Sequence, residues 1–145
     1  MSIAPKQQLD LNLIDLISDR HYSLRRITEH QWNLAGNIPI SNSEWFIIAR
    51  IYKGTPTISY ITKHVDITRQ AVHKLIRKLE SKGLIEIHNM ENNKKVKCLQ
   101  LTPFGQRCYE LNEAYKAKIE EDIARVIGQQ QLEHLKHILK MDWML

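Results

Sequence analysis

The sequence predicts a mainly α-helical domain with one small β-hairpin. Three observations predict it: apolar residues recur at helical spacing through most of the 145 residues, two short β-branched segments alternate late in the chain, and turn residues separate these stretches. The length suggests a single domain over residues 1–145, and 43% hydrophobic residues are enough for a core. The predicted order is four helices, a hairpin and two more helices.

The same totals argue against a membrane or secreted protein. The longest apolar run, Trp45 to Ala49, is far shorter than the ~20 residues that span a bilayer. The N-terminus "MSIAPKQQLDLNL" has no basic start followed by an apolar stretch, so we expect no signal peptide. Only Cys98 and Cys108 are present, which fits a reducing compartment. We therefore expect a cytoplasmic protein with no membrane partner.

The first three helices are predicted from spacing and caps. Residues 9–35 keep apolar side chains on one stripe, and "GNIPI" ends that helix. Ser41 and Glu44 form a capping-box pattern, so a second helix runs from near Asn42 to Gly54, with Lys53 in its last turn. Thr57 caps a short third helix, from Ile58 to about His64. The stripe of the first helix consists of Leu9, Leu13, Ile17, Leu24, Ile27 and Leu34.

The second half of the chain continues this pattern. Thr68 is the predicted N-cap of a helix from Arg69 to Lys82, closed by Gly83. The segments "LIEIHNM" and "KVKCLQL" alternate around the turn "ENNK", which indicates a hairpin. Thr102-Pro103 opens a fifth helix that reaches Gly128. A sixth helix carries Leu132, Leu135, Ile138 and Leu139.

The positive charge of the chain is concentrated in one segment. Residues 62–97 carry nine Lys and Arg against four Asp and Glu, a net of +5, whereas the rest of the chain is neutral. A localised basic patch is typical of nucleic-acid binding, although ordinary surface charge can also cluster.

The fourth helix is strongly two-sided. At ~100° per residue, its aliphatic residues from Ala71 to Leu79 fall within one arc, and its other side is polar and basic. Arg69 and Gln70 open the polar side; Arg can pair with guanine and Gln with adenine in the major groove. A short helix, the turn "VDIT" and this helix form a helix-turn-helix, and the hairpin after it is a wing with a basic tip.

This arrangement predicts double-stranded DNA as the partner. The residues expected to face bases or phosphates are Ser59, Tyr60 and Lys63 on the third helix, Thr68, Arg69, Gln70, His73, Lys74 and Arg77 on the fourth, and Asn93, Lys94 and Lys95 at the wing.

At this point the sequence resembles the MarR family of winged-helix transcription regulators. The residues that carry the likeness are "SEWFIIARI", "ITKHVDITRQAVHKLIRKLESKGLIEI" and "LQLTPFGQ". The resemblance implies a winged helix-turn-helix over about residues 41–102, flanked by dimerisation helices at about 9–35 and 104–145. It also implies a homodimer that is joined through the terminal helices and binds a pseudo-palindromic DNA site. We expect this dimer to act as a repressor.

One position departs from the pattern of that family. Its wing commonly carries Asp-x-Arg, whereas this chain has Asn93-Lys94-Lys95. Lysine is a point charge without the fork of arginine. We therefore expect the wing to contact DNA without fine minor-groove recognition.

The terminal helices and the aromatic residues lead to two further predictions. The apolar stripes of the first and last helices have no obvious place in a small central unit, so a second copy is the economical partner. The residues predicted for that interface are Leu13, Ile17, Leu132, Leu135 and Ile138. Four aromatic residues are either core or the lining of a pocket for a small aromatic effector, namely Tyr22, Trp32, Trp45 and Tyr115.

Other constellations carry less weight. His134 and His137 lie one helical turn apart, but no further ligand is placed by sequence to complete a zinc site, so we expect no metal and no cofactor. The sequence contains no phosphate loop, no Gly-x-Ser-x-Gly and no HExxH, so we expect no enzyme. Two alternatives stay open: a winged helix that binds protein or RNA, and a metal-sensing regulator. The Arg69 and Gln70 pair favours DNA over an interaction-only domain.

Overall fold

The computed structural model describes residues 10–145, and in them the predicted order of elements is confirmed. Six helices and one antiparallel hairpin are present in this part of the chain. Their bounds are α1 Leu13–Leu34, α2 Asn42–Ile51, α3 Ile58–His64, α4 Arg69–Ser81, β1 Ile85–Met90, β2 Asn93–Leu101, α5 Pro103–Ile127 and α6 Gln129–Lys140.

The first helix starts later than its apolar stripe suggested. Asn12 has an extended backbone, and its side chain accepts a hydrogen bond from the N–H of Asp15, so the helix begins at Leu13. Leu9, the predicted first residue of the stripe, lies outside the described residues.

The second helix ends earlier than predicted. Its capping box is present, because Ser41 Oγ accepts from Glu44 N and Glu44 Oε1 accepts from Ser41 N. Tyr52 then leaves the helical region, and Lys53 has a φ of +60°. The helix therefore stops at Ile51 rather than at Gly54, and Arg50, not Lys53, lies in its last turn.

The hairpin forms with a shorter turn than the predicted "ENNK". Strand β2 begins at Asn93, which pairs with Met90, so only Glu91 and Asn92 remain in the turn. A register irregularity between Asn89 and Met90 accommodates this pairing. The base of the hairpin is attached to the residues before α3, since Leu99 N donates to Pro56 O.

The buried core lies under the helix-turn-helix and the hairpin. Its fully buried aliphatics come from α2, α3, α4, both strands and the residue just before β1: Ile47, Ile48, Ile51, Ile61, Val72, Ile76, Leu79, Leu84, Ile85 and Leu99. These elements therefore form one folded unit through apolar packing.

The terminal helices keep many apolar side chains exposed. Leu13, Ile17, Leu135 and Ile138 are all exposed in the single chain. Leu132, which is also predicted for the interface, is only 7% exposed in the single chain and has little surface left for a partner. In the described part of the chain, every helix is too short or too polar to cross a membrane.

Candidate nucleic-acid interface

Helix α4 presents a polar face away from the core. Val72, Ile76 and Leu79 are buried, whereas Arg69, Gln70, Lys74 and Arg77 are exposed. Thr68 Oγ1 accepts a hydrogen bond from Ala71 N at 3.1 Å, which confirms the predicted N-cap. The helix therefore begins at Arg69, and the exposed side chains of Arg69 and Gln70 lie at an N-terminus that carries a partial positive charge.

Most of the other side chains predicted to meet DNA are also exposed. Ser59, Tyr60 and Lys63 on α3 reach solvent, as do Asn93, Lys94 and Lys95 at the start of β2. His73 is half-buried, so it offers less of its ring than the residues beside it. Lys95 N donates to Asn93 Oδ1 at 3.0 Å, and this contact orders the backbone at the wing tip.

Two contacts of helix α3 were not predicted from the sequence. The rings of Tyr60 and His64 stack with centroids 4.0 Å apart, and His64 Nδ1 lies 2.8 Å from Tyr60 O. Arg50 of α2 donates from Nε to His64 O at 3.1 Å, and its guanidinium lies over the Phe46 ring. The i,i+4 spacing of Tyr60 and His64 was visible in the sequence, whereas nothing local pointed to Arg50.

Lys82, although it lies in the basic segment, is paired within the protein and does not add to the exposed positive charge. Lys82 Nζ lies 2.8 Å from Glu44 Oε1 and 2.9 Å from Oε2, and it also donates to Pro39 O at 2.8 Å. Glu44 is only 2% exposed. Burial by itself would raise the pKa of Glu44, but hydrogen bonds from Lys82 and Ser41 hold that pKa below its ordinary value.

Three of the four predicted pocket aromatics meet inside the protein. Trp32 packs edge-on against Trp45 at 4.9 Å between centroids and against Tyr115 at 6.1 Å. Trp32 Nε1 donates to Ile38 O at 2.7 Å. Tyr22 is 64% exposed and lies in a shallow groove along α1. Within one chain, Tyr22 is therefore not part of this aromatic cluster of Trp32, Trp45 and Tyr115.

The histidines and cysteines that could bind a metal or react do not form a site in the described residues. Among residues 10–145, His, Cys, Asp and Glu side chains form no group of three or more that could hold a metal, so no third ligand joins His134 and His137. Cys108 is buried, and burial raises the pKa of its thiol although Arg107 opposes this. Cys98 is half-buried on β2.

Comparisons with known proteins agree with this architecture. Residues 40–97 match the sequence profile of the MarR family, and this segment spans α2, α3, α4 and most of the wing. No curated protein sequence matches the chain. The solved structures that resemble it share the fold at low identity.

Three of those structures cover nearly the whole chain. A mutant of E. coli MarR has a TM-score of 0.74 at 17% identity, covering 90% of this chain and 95% of its own. MepR, a transcription regulator of an S. aureus multidrug efflux pump, has a TM-score of 0.72 at 19% identity over 89% and 94%. A MepR mutant bound to an oligodeoxyribonucleotide has a TM-score of 0.64 at 19% identity over 90% and 94%.

The family match covers the helix-turn-helix, which contains the exposed basic helix α4, and most of the wing. The fold match adds the terminal helices on either side. Together with the sequence motifs, these findings show that residues 40–97 are similar to the MarR family and that the chain shares the fold of MarR and MepR.

Proposed function

We propose that this chain is a sequence-specific repressor that binds double-stranded DNA as a homodimer on a pseudo-palindromic operator. The observation that carries the proposal is α4, whose buried face is aliphatic and whose exposed face opens with Arg69 and Gln70. A helix with this polarity, preceded by a short helix and followed by a basic wing, suits entry into the major groove. In the similar MepR structure, an oligodeoxyribonucleotide is bound.

The exposed apolar side chains of the terminal helices support the dimer. Leu13 is 58% exposed and Leu135 is 47% exposed, and Ile17 and Ile138 are exposed as well. Large apolar patches of this kind usually mark an interaction surface. A two-fold dimer presents its recognition helices about one DNA turn apart, ~34–36 Å, which is why the operator should be a palindrome.

Selection from a pool of random duplexes tests the proposal. We expect enrichment of an inverted repeat, and binding to that repeat should fall steeply with salt. If the dimer neutralises about 6–10 phosphates, affinity should drop roughly 10³–10⁵-fold between about 50 and 200 mM salt. A pool with no enriched sequence, or an almost flat salt response, would favour the protein-interaction alternative. Equal enrichment of single-stranded RNA would favour the RNA-binding alternative.

A small aromatic effector is the regulatory part of the proposal. The aromatic cluster of Trp32, Trp45 and Tyr115 lies where α2, the first helix of the winged helix-turn-helix, meets the flanking helices α1 and α5. A ligand that inserts there would change the distance between the two α4 helices of the proposed dimer. A coupling of about 1–3 kcal/mol would weaken DNA binding by roughly 5–150-fold.

Linkage makes the effector testable. Small aromatic acids are screened by thermal shift, and each hit is then titrated with and without operator DNA. An effector must bind more weakly when DNA is present, by the same factor by which it weakens DNA binding. Compounds that bind equally well in both conditions are not effectors, and a screen without hits would indicate a repressor controlled by its own abundance.

A further inference from the structure

The ammonium group of Lys82 binds acceptors within the protein, although the sequence places Lys82 at the end of the basic helix. An ammonium has three donors, and the three acceptors within 2.9 Å are the two oxygens of Glu44 and the carbonyl of Pro39. Lys82 is also the C-cap of α4, where its backbone N–H donates to Lys78 O and Glu80 O. Its side chain is therefore committed to the protein and not to a phosphate.

The acceptors of Lys82 lie at the junction between α1 and α2. Pro39 belongs to the connection between these helices, and Glu44 lies in the first turn of α2, where it also caps Ser41 N. The preceding carbonyl, Ile38 O, accepts the indole N–H of Trp32 from α1. The connection is thus held at neighbouring carbonyls, by α1 on one side and by the end of α4 on the other.

We propose that Lys82 is a positioning residue for DNA recognition, which sets the angle of α4 relative to α1 without touching DNA. This inference rests on the proposed function, in which α4 reads the operator. The apolar contacts of Val72, Ile76 and Leu79 hold α4 on the core, but such packing is not directional. The charge-assisted hydrogen bonds of Lys82 are directional, so they fix the orientation of α4 at its C-terminal end.

The geometry shows why a small tilt would matter. Arg69 lies thirteen residues before Lys82, which is about 20 Å along a helix at ~1.5 Å per residue. A tilt of about 5° pivoting at Lys82 would therefore move Arg69 by roughly 1.7 Å. Hydrogen bonds tolerate only ~0.5 Å of variation in donor–acceptor distance, so base contacts at the N-terminus of α4 would be lost while phosphate attraction persists.

The test compares Lys82→Met with Lys78→Met, which removes the same charge from an exposed position on the same helix. Affinity is measured for the selected duplex and for a scrambled duplex across a range of salt. Lys82→Met should lower affinity for the selected duplex by about 2- to 30-fold, with the scrambled duplex and the salt slope unchanged. Lys78→Met should leave the ratio of the two affinities as in the wild type.

A second variant separates positioning from stability. Lys82→Met leaves the buried carboxylate of Glu44 unpaired, which costs stability. The double variant Glu44→Gln with Lys82→Met removes both charges, and glutamine can still cap Ser41 N. We expect the double variant to regain the wild-type melting temperature while its selected-to-scrambled ratio stays low.

Three results would overturn the inference. One is a Lys82→Met variant whose ratio of selected-duplex to scrambled-duplex affinity equals that of the wild type. Another is a double variant in which this ratio recovers, because the Glu44–Lys82 pair would then act only on stability. The third is equal weakening on both duplexes with a salt slope lower by about one, because Lys82 would then contact a phosphate. A wild-type protein without any preferred duplex is a failure of the proposed function, and it is seen before any variant is made.

Discussion

At the scale of single residues, the motif "LTPFG" is explained by one close approach of two backbone segments. A Cβ built on Gly105 would lie 2.0 Å from Leu84 O, so no other residue fits there without backbone movement. The Leu84 carbonyl is held in place because it accepts from Thr102 N at 3.1 Å. Thr102 Oγ1 in turn accepts from Gly105 N and donates to Gly83 O. The motif therefore joins the start of the wing to the start of α5.

Replacing Gly105 by alanine should destabilise the protein. The added methyl group meets a backbone carbonyl that cannot move without breaking its own hydrogen bond, and overpacking of this kind costs about 1–3 kcal/mol or more. Urea unfolding measures the change, with Gly54→Ala as the control, because the nearest atom to a Cβ there is 3.7 Å away. Equal stability of both variants would contradict the close approach.

The ion pair between the buried Glu44 and the half-buried Lys82 should make the protein sensitive to acid. The pKa of Glu44 in the folded chain is below its ordinary value of 4.5, so its contribution to stability is present above that value. It is lost as the pH falls through the folded pKa. The free energy of unfolding, measured from pH 7 downward, should therefore fall less in the Glu44→Gln, Lys82→Met double variant than in the wild type. Parallel curves would show that Glu44 does not contribute.

At the scale of elements, α4 and the wing should divide recognition between them. Arg69 and Gln70 are exposed at the capped start of α4, where side chains can meet base edges. Lys94 and Lys95 at the wing are point charges suited to phosphate. Helix α3 is short, and it is fixed to α2 through the contact of Arg50 with His64 O. We expect sequence preference to come from α4 and general affinity from the wing.

Single alanine substitutions distinguish these two roles. Arg69→Ala or Gln70→Ala should cost about 1–3 kcal/mol on the preferred duplex and broaden its base preference. Lys95→Ala should weaken all duplexes alike and reduce the salt slope by about one, because it removes a phosphate contact. Fluorescence anisotropy on matched duplexes measures both effects. If Lys95→Ala changed which bases are preferred, the wing would read sequence after all.

Across the whole molecule, exposed apolar side chains gather at the first and last helices. The exposed side chains come from α1, from α6 and from the residues after α6, where Met141, Met144 and Leu145 are also exposed. Trp143 Nε1 donates to Ile138 O at 2.9 Å, so the end of the chain folds back on α6. A second copy is the partner that we propose for this surface.

Charges placed on that surface should separate the proposed dimer. Leu13→Glu combined with Leu135→Glu would bury two carboxylates per chain in the interface, which is costly without partners. Sedimentation at micromolar concentration should show monomer for this variant. The control, Ser18→Glu with Gln130→Glu, adds the same charge on the same helices at exposed polar positions and should remain dimeric. A wild-type protein that sediments as a monomer would rule out the proposed assembly.

The order and type of the helices and strands could be predicted from the sequence, because the signals for them are local. The caps Ser41, Thr57, Thr68 and Thr102 each bond to a backbone N–H three residues later, so they can be recognised from neighbouring letters. The two-sided pattern of α4 follows from helical geometry alone, and so does its exposed basic face. The motifs that resemble the MarR family lie in the same segments, so the fold and this resemblance could be predicted together.

Tertiary structure alone decided where several side chains point. Lys82 turned inward because Glu44, 38 residues away in the chain, is buried beside it and needs a counter-charge. The packing of the helices buries Leu132 and leaves Tyr22 exposed, away from the aromatic cluster. Helical spacing shows which side chains share a face, but the direction of that face depends on contacts between residues far apart in sequence. The positioning role proposed for Lys82 comes from such a contact.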